Sequence, residues 1–286
     1  MIDRYISQFK ISLLISVLLG CVACNTTPSK EETQPVVFNY TPALVTPTSP
    51  EVAPTPTDTR IPTMTVIATV WTQDPLVPVL TYHQFKPDGS GGYSTNLKMF
   101  LSDFRGQLET LSENGFCLVA LEDWLNGDMQ AAEGCRPLIL TMDDLYFNNQ
   151  IRLTEDGYPS TETGIGVLWQ FYQEHPDFGF SIALFTNLGN KLYANPDDPG
   201  WELELARTII WGIENGAMPY NHFYRHPQLD KTDPGGITWE AAMNDRYLRE
   251  LVLMGGREDL IPRLGNIFAL TYGIWPATRD GRNAII

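Results

Sequence analysis

Arg136-Pro-Leu-Ile-Leu-Thr-Met-Asp-Asp144 reads as a buried strand that runs straight into two carboxylates. Working outward, Val77-Pro-Val-Leu-Thr-Tyr-His83 and Cys117-Leu-Val-Ala-Leu121 are two further short apolar runs of strand character. Between them Phe100, Phe104, Leu108 and Leu111 recur at helical spacing, and Gly115 follows as a stop, which predicts an amphipathic helix over 97–114. A short helix is expected at 122–125, and a long polar loop from Leu145 to about Gly164. Helices are expected near 166–174, 202–215 (closed by Gly216) and 238–253, with strands at 178–185 and 267–272. Strands alternating with helices predict an α/β fold of βα units around a mainly parallel sheet. Such folds place their chemistry at the C-terminal ends of the strands, which is where the Asp pair stands.

The chain has 286 residues, 43% of them apolar and 11% aromatic, enough for a sizeable core. Nineteen basic residues against 34 acidic ones give a net charge of −15. That balance argues against nucleic acid as a partner, because phosphate binding needs clustered Lys and Arg. It suits neutral sugars, or a polymer that becomes cationic as it is processed.

The N-terminus has the layout of an export signal. Arg4 and Lys10 precede the apolar run 11–20, which is too short to span a bilayer and ends at Cys21. Leu18-Leu19-Gly20-Cys21 resembles the bacterial lipobox, so residues 1–20 are expected to be a lipoprotein signal peptide and Cys21 the lipidated residue, with Cys24 as the rival. Residues 21–62 read as a linker. From Asn25 to Pro62 there are eight Pro and nine Thr, which favour an extended conformation without a core of its own. These features predict an extracytoplasmic, membrane-anchored lipoprotein whose folded domain spans 63–286. An oxidising compartment permits a Cys117–Cys135 disulfide.

Adjacent Asp143 and Asp144 point to different sides at a strand tip and can serve two roles there. His222 and His226, four residues apart in Asn221-His-Phe-Tyr-Arg-His-Pro227, can meet one ion on a tight loop. Taken separately each pattern also has an ordinary reading, as a helix cap or as surface and core histidines.

Together, strand, Asp-Asp and Asn-His-x-x-x-His-Pro in an exported α/β chain resemble the NodB-homology polysaccharide deacetylases, carbohydrate esterase family 4. Pro78-Val-Leu-Thr-Tyr-His83 is similar to the opening strand of many members. Phe268-Ala-Leu-Thr-Tyr-Gly273 is similar to the Phe-Ala-Tyr-Pro-Tyr-Gly segment of the branch acting on poly-N-acetylglucosamine. The resemblance implies a distorted (β/α)7-type barrel and a metal-dependent hydrolase that removes acetyl groups from a polysaccharide. It implies Asp143 as the catalytic base and Asp144, His222 and His226 as ligands of a divalent metal, zinc by default, with cobalt, nickel or iron also suited. Such an ion lowers the pKa of bound water and polarises the acetyl carbonyl. Tyr272 is offered for the backbone N–H that stabilises the oxyanion.

The sequence also departs from that pattern. Met142 replaces Phe. Phe223 stands where members carry a Ser or Thr whose hydroxyl braces the loop between the histidines, so weaker metal affinity is expected. Leu270-Thr271 replace Tyr-Pro, no Arg appears there, and a longer span before His222 suggests an inserted loop near 186–204. Members carry a later His as general acid, but of the four histidines here none follows His226, and the sequence is expected to be truncated at its C-terminus. His83 is a candidate substitute, or a residue lining the substrate pocket; His175 is expected to end a helix. Among the tryptophans most have core spacing, and Trp201 and Trp275, on expected loops near the site, are the candidate sugar-stacking faces. The competing reading is a non-catalytic glycan-binding lipoprotein on the same scaffold.

Overall fold

The run Arg136–Asp143 is a strand, and six of its eight residues are buried, as unbroken apolar character demands. The structure, a computed structural model, describes residues 68–70, 76–145, 147–190 and 199–285. The expected signal peptide, the lipidation site Cys21 with its rival Cys24, the linker 21–62 and Trp71 lie outside the described residues, as do positions 191–198 of the expected inserted loop. Residues 61–286 group into one unit.

The described strands are β1 (Ala68–Val70), β2 (Val79–Tyr82), β3 (Gln84–Lys86), β4 (Lys98–Phe100), β5 (Phe116–Leu118), β6 (Gln130–Ala132), β7 (Arg136–Asp143), β8 (Ile182–Thr186) and β9 (Ala217–Asn221). The helices are α1 (Leu101–Glu113), α2 (Leu121–Asn126), α3 (Phe147–Gln150), α4 (Gly164–Glu174), α5 (Trp201–Asn215), α6 (Pro234–Met254) and α7 (Arg279–Asn283). The fold is α/β. Five of the strands form one parallel sheet in which β7 pairs with β2, β5 and β8, and β8 pairs with β9. An isolated parallel bridge, Asn221 to Phe268, continues past β9. The register sets Tyr82 beside Met142, Asp143 beside Phe185 and Thr186 beside Asn221, so the strands end at a common rim.

Helices cover this sheet because each presents one apolar face. Phe104 and Leu108 of α1, Leu168 and Phe171 of α4, Ile209 and Ile213 of α5, and Leu248 and Leu251 of α6 are buried together in the main core with Leu138 and Leu140 of β7. Caps fix two of the starts: Thr163 accepts from Gly166 N (3.1 Å) at α4, and Asp233 accepts from Gly236 N (3.0 Å) at α6. Gly166 cannot carry a side chain, since a Cβ there would lie 1.8 Å from the Ser160 carbonyl oxygen. No helix among the described residues is long and apolar enough to cross a membrane.

Several expectations need correction. Ile267–Tyr272 is not a strand: only Phe268 bridges Asn221, and a turn over Thr271–Gly273 follows with Tyr272 at φ 57°. Thr271 Oγ1 donates to the Pro227 carbonyl at 2.5 Å, which draws this segment onto the histidine loop and away from a ladder. Trp201 does not lie on a loop; it opens α5 and packs against the main core. Conversely β9 is a strand that sequence patterning passes over, because Pro219 interrupts a short run and has no N–H to give a ladder.

Cys117 on β5 and Cys135 before β7 form a disulfide, with Cα atoms 5.8 Å apart and 18 positions between them in sequence. It closes over a small cluster of Val119, Met129, Ala131 and Ile139. Tying off a loop of that length restricts the unfolded chain by about 3 kcal/mol. Cys135→Ser is therefore expected to lower unfolding free energy by about 2–4 kcal/mol in denaturant titrations. Reductant should bring the wild type to the same midpoint as the variant.

Candidate metal centre

Each of four strand tips at the rim delivers a polar residue, and β7 delivers two. His83 follows β2, Asp143 ends β7 and Asp144 follows it, Asn187 follows β8, and His222 follows β9. The backbone at this rim is unusual. Among the described residues the non-glycine positions with positive φ are Asp144 (74°), Leu145 (36°), Phe223 (60°), His226 (53°) and Tyr272 (57°), and all belong to the three segments that meet there. Aspartate tolerates this region, whereas the other four residues are held in it at a cost of about 1–3 kcal/mol each.

The strain places three donor atoms together. Asp144 Oδ1 lies 3.8 Å from His222 Nε2 and 3.4 Å from His226 Nε2. Ligands around a tetrahedral ion at bond lengths of ~2.0–2.1 Å stand ~3.3 Å apart, close to the separations seen. All three donor atoms lie within 4.8 Å of one another.

Hydrogen bonding fixes the ring states. His222 Nδ1 sits 3.0 Å from the Ala269 carbonyl, which can only accept, so Nδ1 carries the proton and Nε2 turns its lone pair toward Asp144. Burial pushes His222 down to about 4 and also lowers His226, so both rings are neutral at neutral pH. A lone pair of His222 and, 3.4 Å away, Nε2 of His226 thus face one carboxylate oxygen. Such a donor set fits a divalent cation of the borderline kind that imidazole and carboxylate share.

Asn187 is the residue that sequence reading missed. Its Nδ2 donates to the same Asp144 Oδ1 at 2.7 Å, and at 2% exposure it is locked by packing. The available signal was positional: Asn187 directly follows an apolar run whose end matches the rim. Asp143 Oδ2 lies 4.0 Å from His222 Nε2. Burial, and secondarily the charge on Asp144, push Asp143 up to about 7.

The histidine loop is braced by α6. Asn221 accepts from Phe223 N (2.8 Å) and donates to the Ala241 carbonyl (2.9 Å) and Asp245 (2.7 Å). Buried Glu240 accepts from Arg225 N (2.7 Å) and Nε (2.9 Å), while the Arg225 guanidinium lies 4.5 Å over Trp239. Phe223 is fully buried with Leu229 and Ile237. The hydroxyl missing at Phe223 is therefore replaced by apolar packing and by carboxylate and amide contacts from α6.

Other expected site residues are placed as follows. His83 follows β2 at the rim, and its Nδ1 is buried without a hydrogen-bond partner among the described residues. The Tyr272 ring packs edge-on against His226 at 4.4 Å and is 59% exposed. Trp275 is 57% exposed in the loop three residues further on. Trp201, at the start of α5, is packed against the main core.

No family model matches the chain, and no curated protein matches it. Solved structures do. A deacetylase of Streptococcus pyogenes in complex with acetate is 16% identical, covering 73% of this chain and 78% of that one, with a TM-score of 0.45. A de-N-acetylase from Aggregatibacter actinomycetemcomitans is 12% identical, with coverage of 73% and 84% and a TM-score of 0.46. A polysaccharide deacetylase from Bacillus cereus is 21% identical over 61% of this chain, at a TM-score of 0.41, and this chain covers 47% of its length. With every score below 0.5, the functional reading rests on the geometry of the site itself.

The soluble domain is expected to bind one Co²⁺ per chain with a visible ligand-field spectrum, and His222→Ala with His226→Ala to bind none. Asn187→Ala should keep the stoichiometry but weaken affinity about 10–100-fold, the usual effect of losing a residue that orients a ligand. Competition with a chelator of known affinity checks both.

Proposed function

We propose that this domain is a divalent-metal-dependent hydrolase that removes acetyl groups from a polysaccharide, with polymers containing N-acetylglucosamine as the favoured substrate. One observation carries the reading: a carboxylate and two neutral imidazoles converge beside a second, half-buried carboxylate at a strand-tip rim. Asp144, His222 and His226 would hold the ion, with zinc favoured and cobalt, nickel or iron suited to the same donors. Once bound, it supplies Lewis-acid polarisation of the acyl carbonyl.

The chain's own groups account for the proton movements. Asp143 accepts a proton from the water that attacks the carbonyl carbon. As the carbon–nitrogen bond breaks, the departing amine takes a proton from His83, which follows β2 at the same rim. The backbone N–H of Tyr272 is the candidate donor to the oxyanion, and its ring, with Trp275, offers apolar faces on which sugar rings can stack. Atoms balance: water adds across the amide, giving acetate and a free amine.

Surface charge agrees with this substrate class. At −15 overall the chain repels polyanions and tolerates a glycan that gains amino groups as it is deacetylated. An export signal, Cys21 as the lipid anchor and the Pro/Thr linker would hold the domain at the outer surface. The Cys117–Cys135 disulfide supports that oxidising location.

Acetate release from N-acetylglucosamine oligomers with added Zn²⁺ is the direct test. Asp143→Asn should cut kcat by about 10²–10⁴-fold while leaving one metal bound. Turnover that survives this change would overturn the assignment of the base, and a wild type that binds glycan without releasing acetate would favour a non-catalytic binding protein.

A further inference from the structure

Resting on the roles proposed above for Asp143 and His83, we infer that Gln150 is a positioning residue that sets the distance between the proton acceptor and the proton donor. It is fully buried on α3, the single turn that the chain makes just after the Asp pair. Its side-chain Nε2 donates to two backbone carbonyls at once, those of His83 and, at 2.6 Å, Asp143. The preceding residue grips the same strand end, since Asn149 Oδ1 accepts from Phe85 N at 3.4 Å.

The physical need is specific. The β2–β7 ladder runs from Val79 and Ile139 to Tyr82 and Met142, so His83 and Asp143 stand one step past its last pair. Between these two strands ladder pairing has stopped at that point, although Asp143 still pairs with Phe185 on its other side, and a carbonyl left without a partner is costly. A primary amide is the side-chain group that offers two N–H donors from one atom without a charge, and so can join two carbonyls across that gap. The Nδ1 edge of the His83 ring gives no anchor, because that atom has no hydrogen-bond partner among the described residues. Its backbone is thus what fixes it, and Gln150 is what fixes the backbone.

The bridge touches the peptide that joins Asp143 to Asp144, but each of the three metal donors has a restraint of its own. Asp144 is oriented by Asn187, His222 by the Ala269 carbonyl, and the histidine loop by α6. Those restraints are expected to keep the metal bound when base and acid geometry is loosened, and metal stoichiometry therefore separates this role from simple structural support.

Gln150→Met preserves side-chain length and apolar volume but removes both donors, and Gln150→Ala removes the volume as well. In both variants Co²⁺ should bind with unchanged stoichiometry, kcat should fall about 100-fold with KM nearly constant, and the acidic and basic limbs of the kcat/KM pH profile should move. Independently of turnover, the ring resonances of His83 in histidine-labelled protein should shift while those of His222 and His226 stay in place. Unchanged His83 resonances in a folded Gln150→Met protein would overturn the inference, as would a loss of kcat that merely tracks the loss of folded or metal-loaded protein. A wild type that releases no acetate would instead defeat the hydrolase reading, leaving the resonance test to stand on its own.

Discussion

Everything at the rim depends on one constraint, the shared register of a parallel sheet. Because β2, β7, β8 and β9 run the same way and their last paired residues lie side by side, four successive strand tips deliver residues to one place. Antiparallel pairing would send alternate tips to opposite ends. The buried apolar character of β7 enforces the arrangement, since a one-residue slip would turn Asp143 and its neighbours onto the opposite face and force a charge into the helix layer. Chemistry far apart in sequence, from position 83 to 226, is gathered by that single requirement.

Gathering residues is not enough, because the donor atoms must also be turned toward each other. The chain does this with left-handed backbone at Asp144, Phe223 and His226, conformations that would relax if the surroundings allowed. Buried side chains from α6 prevent it. Asn244 accepts from Leu188 N at 2.9 Å and donates to the Thr186 carbonyl at 2.8 Å, holding the β8 tip that presents Asn187. Glu240 and the Asn221–Asp245 contact hold the loop after β9. Packing of a surface helix is thereby converted into angular precision tens of residues away in sequence.

Much of this was legible in the sequence, and for identifiable reasons. The run 136–144 announces itself because a doubly buried strand has no polar alternation and its end is marked by charge. The histidine pair has a fixed spacing, and the helices have clear periodicity with glycine stops at Gly115 and Gly216. The rest depends on tertiary context. Asn187 carries no motif, and only the register reveals that it meets Asp144. Phe223 reads as the loss of a hydroxyl, whereas the structure supplies bracing from a helix more than ten positions later. Trp201 follows a proline and a glycine and so reads as a loop residue, yet it starts a helix and turns into the core. At Phe268–Gly273 local strand propensity was overridden by a side-chain bond from Thr271 to the histidine loop.

Bracing of this kind has a consequence for which ions the rim could accept. Calcium and magnesium gather six or more oxygen ligands, calcium through compliant loops that can bring further carbonyls inward. Here two of the three converging donors are nitrogens, and the carboxylate that converges with them is already tied by Asn187. The surrounding backbone is pinned from α6 and cannot swing additional oxygens into place. A stiff, nitrogen-rich rim of this sort would discriminate by refusing to adapt, turning hard cations away without any need for a high affinity toward a borderline one.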